Sequence, residues 1–149
     1  MSLFLALKVV HILAAIVAVG TSVSSTFWLA RAGRDRDRVL WALEGTRTFD
    51  RRIANPAYVV VLASGILMVT TGTYRLDQGW ISTAIALYVL IAAFGIILFR
   101  PAARRQREAA AADPTSAAYS RIANRTWWYS WLTTAVVAMI VVLMVAKPF

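Results

Sequence analysis

The stretch that decides the fold is LKVVHILAAIVAVGTSVSSTFW, residues 7–28. It is apolar with a single ionisable side chain beyond Lys8, the imidazole of His11. Crossing the hydrocarbon core of a bilayer takes about 20 predominantly apolar residues in helical form. This run meets that length, and its apolar neighbours extend it to roughly Leu3–Ala30. It has no basic segment ahead of it and is too long for a signal-peptide core, so it reads as a retained helix. His11 is the only histidine in the 149-residue chain.

Three further runs resemble it, at residues 56–73, 80–99 and 127–146. The chain is 60% hydrophobic, well above the roughly 45–50% of a soluble domain, and its mean hydropathy is +0.64. A water-soluble domain of this size could not bury that much apolar surface. The expected fold class is therefore all-α, a four-helix transmembrane bundle in a single domain. Its helices are expected at about 3–30, 56–73, 80–99 and 114–146, the last entering the membrane from residue 127.

The chain carries a net charge of +9, and its arginines are clustered. Seven lie between Arg31 and Arg52 and six between Arg100 and Arg125. Both stretches sit between apolar runs, as cytoplasmic connections do under the positive-inside bias. The connection TYRLDQG (73–79) balances Arg75 against Asp77 and is expected outside. Both termini are then external, with Lys8 and Lys147 near the external ends. This pattern points to anionic lipid headgroups as partners, and away from nucleic acid. The expected location is a membrane crossed four times, with the basic connections on its cytoplasmic side.

The connections have structure of their own. Val39, Leu40, Trp41 and Leu43 place an apolar patch among charges, the pattern of an interfacial amphipathic turn. Asn55-Pro56 is expected to open the second helix, with proline in its first turn. Ala109–Ala112 favours helix, and Asp113-Pro114 reads as a break with the cap pattern of a new start. Trp80, Trp127, Trp128 and Trp131 fall near the ends of apolar runs, where indoles anchor.

Much chemistry is excluded. The chain has no cysteine, hence no disulfide, thiolate ligand or cysteine nucleophile. No Asp or Glu lies inside the four apolar runs, so the usual carboxylates of a proton or cation pathway are missing. No nucleophile–base pair is visible, and beyond His11 no metal ligand set.

On a helix, His11, Ala15, Ala18, Ser22 and Ser25 share one face. Two readings of this stripe stand side by side. Small residues let helices pack closely, with the histidine bonded to a hydroxyl or carbonyl of a neighbour. Alternatively, the small side chains leave room for a flat macrocycle, with His11 as axial ligand to haem iron. Lys8, one turn earlier, would then meet a propionate, or else a lipid phosphate at the interface. The intramembrane hydroxyls, Ser64 among them, read as interhelical bonding groups, and Tyr88 as a further donor.

LKVVHILAAIVAVGTSVSSTFWLAR (7–31), RRIANPAYVVVLASGILMVTTGT (51–73), GWISTAIALYVLIAAFG (79–95) and the closing VAKPF together resemble a family of bacterial integral membrane proteins of unknown function, domain-of-unknown-function family 2269. The layout is also similar to that of HemJ-type protoporphyrinogen oxidases and the membrane domain of copper-resistance D proteins. In the HemJ type, a first-helix histidine in a Lys-x-x-His setting serves haem, and Lys8 and His11 match that setting. Pro56, Gly65 and the closing Lys-Pro-Phe match as well. The resemblance thus implies haem b held by His11, with Lys8 toward a propionate or lipid. With one histidine per chain, the iron is five-coordinate or shared between two His11 rings of a homo-oligomer. Two features depart from the HemJ type. Its third-helix lysine after Gly-Trp corresponds to Ala84 here, and its Asn-Glu-x-Pro motif has no counterpart around Asn124–Thr134. Oxidation of protoporphyrinogen is therefore not expected, and with His11 the sole imidazole and Met1, Met68, Met139 and Met144 scattered, neither is a soft-ligand copper site.

Overall fold

A computed structural model describes residues 2–71 and 74–148. Among them there is no strand, and four helices are long and apolar enough to cross a membrane. These are α1 (Leu3–Arg31), α2 (Arg36–Thr70), α3 (Gly79–Ala112) and α4 (Ala117–Ala146). Residues 72 and 73, where the second apolar run was expected to end, lie outside the described residues, as does Phe149 of the closing motif.

The chain runs up and down as two hairpins, α1 against α2 and α3 against α4. α1 also packs on α4, and the first part of α2 packs on the last part of α3. The ring of four is closed in this way, and all the arginine-rich segments lie at one end.

Large apolar side chains point outward along its length. Ile16 is 62% exposed, Val59 65%, Leu90 66% and Val145 79%. In water such a surface would drive aggregation; in a bilayer it is the face that meets lipid. The interior is lined instead by small residues, among them Ala18, Ala57, Ala84, Ala102 and Ala110, all buried. Lipid tails are as apolar as the helices, so close approach of backbones, and not apolar burial, is what favours association.

The observed helices are longer than the apolar runs, and the reason is local. α2 does not begin at Asn55-Pro56 but at Arg36, and α3 continues past Arg100-Pro101 to Ala112. Proline lacks an N–H and its ring crowds the carbonyl four residues back, which ordinarily kinks or ends a helix. Here each proline follows a widened turn. The Asn55 N–H bonds the Asp50 carbonyl, and the Arg100 N–H bonds the Gly95 carbonyl, both five residues back. These π-turns take up the missing bond and let the helix continue. At about 1.5 Å per residue, α2 and α3 each run to about 50 Å, against about 30 Å of hydrocarbon.

The surplus length forms a basic extension of the bundle. Its core is Val39, Leu43 and Ala110, with Leu29, Leu40 and Tyr119 packed against it. The apolar patch read from the first connection is thus one face of a helix, with Val39, Ala42 and Leu43 turned inward and Trp41 62% exposed.

The ends are capped by side chains. Ser2 Oγ accepts from the Leu5 N–H at α1, and Asp35 Oδ1 from the Arg38 N–H at α2. In the α1–α2 turn Gly33 sits at φ 70°, a conformation that costs glycine least. Between α3 and α4, Asp113 is extended, as the residue before proline prefers. Its carboxylate accepts from the Thr115 N–H and hydroxyl, at 2.8 and 2.7 Å. The cap of α4 is Ser116, whose hydroxyl accepts from the Tyr119 N–H. The break at Asp113-Pro114 is therefore as expected, while the helix itself starts three residues later than expected.

The opposite end is closed by aromatics. Lys147 Nζ lies 5.0 Å from the Tyr74 ring centre and 5.5 Å from that of Trp80. Tyr74 also meets Phe4 and Trp80 edge to face. This cluster joins α1, the α2–α3 connection, α3 and the end of α4.

Candidate functional site

His11 faces the interior from the first third of α1 and is 7% exposed. Its Nδ1 lies 2.9 Å from Ser64 Oγ on α2. A serine hydroxyl has one proton, and that of Ser64 is directed back along its own helix to the Val60 carbonyl at 2.6 Å. Ser64 Oγ is then the acceptor, and His11 donates from Nδ1–H. This tautomer leaves the lone pair on Nε2.

Gly65 completes the contact. A Cβ on Gly65 would lie 3.4 Å from His11 Cε1 and 3.8 Å from Nδ1. The ring edge is thus seated directly against the α2 backbone. Lower on the same stripe, Ser22 Oγ lies 3.2 Å from the Tyr58 hydroxyl, also on α2. Tyr88 on α3 donates to the Tyr58 carbonyl at 2.9 Å. One polar line therefore links α1, α2 and α3.

The stripe read from the sequence does face inward: Ala18 is 1% exposed, and Ala15, Ser22 and Ser25 are partly buried. What lies against it is α2. At the height of His11 the two helices are in contact through Ser64 and Gly65. The donor set keeps one feature that haem ligation uses, an imidazole fixed through one nitrogen with the other carrying its lone pair. Lys8 is exposed and does not share the burial of His11. Among the described residues, no group of three or more His, Cys, Asp or Glu could hold a metal ion.

A second buried polar pair lies in the basic extension. Gln106 on α3 and Thr126 on α4 are 5% and 4% exposed, and the Thr126 hydroxyl donates to Gln106 Oε1. Sequence reasoning passed over both. Their signal is weak, an uncharged polar residue spaced with Ala102 and Ala110 on one helix face. The pairing of Ser64 with His11 was likewise invisible, since 53 residues separate them.

The basic end is rich in unpaired charge. The ion pairs among the described residues are Arg47–Glu44, Arg75–Asp77 and Arg104–Glu108, all at the surface. Most arginines of the two clusters stand outside any pair and present positive charge around the extension.

The family model of predicted integral membrane proteins (DUF2269) matches residues 5–148 of this chain. The chain belongs to that family. No curated protein and no solved structure matches it. It is an integral membrane protein with four candidate spans, and the family description names no ligand or activity.

Proposed function

We propose that this protein is a non-catalytic, partner-binding protein of the bacterial inner membrane. It holds two helical hairpins in the bilayer and presents a basic helical extension to anionic headgroups on the cytoplasmic side. Both termini then lie outside. The observation that carries this reading is the continuity of α2 and α3 past their prolines into an extension with its own core at Val39, Leu43 and Ala110. A mere connection between spans needs no such packing. The arginine clusters at that end favour the cytoplasmic side. In this reading His11 is an interhelical clip, bonded to Ser64.

The competing reading makes His11 Nε2 the axial ligand of haem b. A single comparison separates the two. Wild type and His11→Ala are purified in mild detergent after growth with added haem, and their visible spectra are recorded. The clip reading expects no Soret band in either, and weaker packing of α1 in the variant. A Soret band in wild type that is lost in His11→Ala would overturn it in favour of haem. Sidedness is tested separately, because the cysteine-free chain accepts single reporters. A membrane-impermeant maleimide on intact spheroplasts should label Asp77→Cys, and label Arg105→Cys only after lysis. The reverse pattern would refute the orientation.

A further inference from the structure

The turn between α1 and α2 carries a groove of about 470 Å3 that the helix packing does not use. Its walls are the indoles of Trp28 and Trp41, whose ring centres lie 5.1 Å apart at a tilt of 50°. Ala42 is buried at its floor, and Arg31, Asp37 and Arg38 line its rim. Trp28 is 50% and Trp41 62% exposed. Neither Arg31 nor Arg38 belongs to the ion pairs found among the described residues.

We propose that this groove binds the headgroup phosphate of one anionic phospholipid. The argument begins with place. Arg31 is the last residue of α1, so the groove sits where the first span leaves the hydrocarbon. Paired indoles at that depth are amphipathic and settle among headgroups. Charge agrees as well. Two arginines and one aspartate give the rim a net charge of +1, and a lipid phosphodiester carries a single negative charge. Guanidinium groups take phosphate oxygens through paired N–H donors, which an ammonium cannot copy. The apolar walls suit the glycerol and the first methylenes of an acyl chain, which a free phosphate lacks. The occupant that satisfies both features is a phospholipid. The site rests on the reading that the basic end lies at a headgroup layer, and does not depend on which leaflet that is.

The test uses the full-length protein in nanodiscs that contain phosphatidylglycerol and phosphatidylcholine in both leaflets. Native mass spectrometry then counts the lipids retained after release into detergent. Wild type should keep one phosphatidylglycerol in preference to phosphatidylcholine. Arg31→Gln/Arg38→Gln removes two contacts and should weaken that retention about 30-fold, from the contribution of each arginine near a membrane surface. Arg105→Gln/Arg121→Gln removes the same charge elsewhere on the extension and should change retention by less than about threefold. Asp37→Asn should tighten it, a gain that misfolding cannot imitate. Soluble glycerol phosphate at millimolar concentration should not displace the lipid.

Equal losses in the two arginine pairs would show diffuse attraction and overturn the site. So would the absence of any preference in wild type. Displacement by glycerol phosphate would assign the groove to a soluble anion. Since both leaflets carry the probe, a wrong orientation leaves this result unchanged and shows only in the cysteine labelling.

Discussion

The bond between His11 and Ser64 is the one to break first. Ser64→Ala removes the acceptor from a ring that is 7% exposed, so water cannot take its place. A buried donor left without a partner costs about 1–3 kcal/mol. Membrane helices soften this, because the separated helices also find partners for their polar groups. Measured interhelical hydrogen bonds there average about 0.6 kcal/mol and reach about 1.7. The imidazole can also move its proton to Nε2 and present a lone pair where Ser64 stood. Together these place Ser64→Ala at about 1–2 kcal/mol. The reverse deletion differs. When His11 is replaced by Phe, Ser64 is still satisfied by the Val60 carbonyl. No polar group is then orphaned, and what remains is the misfit of a larger ring against Gly65.

The double-mutant cycle isolates the bond. His11→Phe, Ser64→Ala and the double variant are unfolded by SDS in mixed micelles, with helicity followed by circular dichroism. The coupling energy should be about 1 kcal/mol in favour of the native pair. Nitrogen NMR of the imidazole should show the proton on Nδ1 in wild type. A coupling below about 0.3 kcal/mol, within the ordinary additivity of independent sites, would refute the clip. A wild-type ring protonated on Nε2 alone would reverse the direction of the bond.

Gly65→Ala should leave stability within about 0.5 kcal/mol of wild type or raise it, because the new methyl meets His11 at ordinary contact distance and alanine favours helix; Gly65→Leu should separate α1 from α2, read as a lower unfolding midpoint. Thr126→Val orphans the buried Gln106 amide and should cost about 1–3 kcal/mol in the same assay. Gln106→Leu should cost less, since the Thr126 hydroxyl falls back on the Ala123 carbonyl at 2.9 Å. Asp113 is held below the usual carboxylate range by its hydrogen bonds from Thr115. A depressed value in the folded state means that its contribution is present at neutral pH and is lost as pH falls through that value. Asp113→Ala should therefore lower the thermal midpoint at pH 7, with the gap to wild type closing below about pH 4.

Composition and hydropathy settled that this chain lives in a bilayer, that it crosses four times and that its arginines gather at one end. These follow because lipid demands about 20 apolar residues in a row for each span, and a run of that length is visible without knowing its neighbours. The inward stripe on α1 was legible for the same kind of reason. Helical spacing puts His11, Ala15, Ala18, Ser22 and Ser25 on one face whatever lies opposite. The break at Asp113-Pro114 was also legible, because a proline restricts the residue before it.

Tertiary structure decided the rest. The sequence could not say which segment the His11 end of the α1 stripe meets, because small residues suit any close neighbour. Ser64 and Gly65 of α2 occupy it, and that pairing spans residues far apart in the chain. Nor could the sequence show that Pro56 and Pro101 lie inside helices. A proline reads locally as a start or a stop, and only the five-residue bonds at Asp50 and Gly95 reveal that the helix widens and goes on. The extension, its core at Val39, Leu43 and Ala110, and the groove between Trp28 and Trp41 all depend on that continuation. Local pattern sets which segments cross the membrane; contacts between distant segments set what the crossing segments enclose.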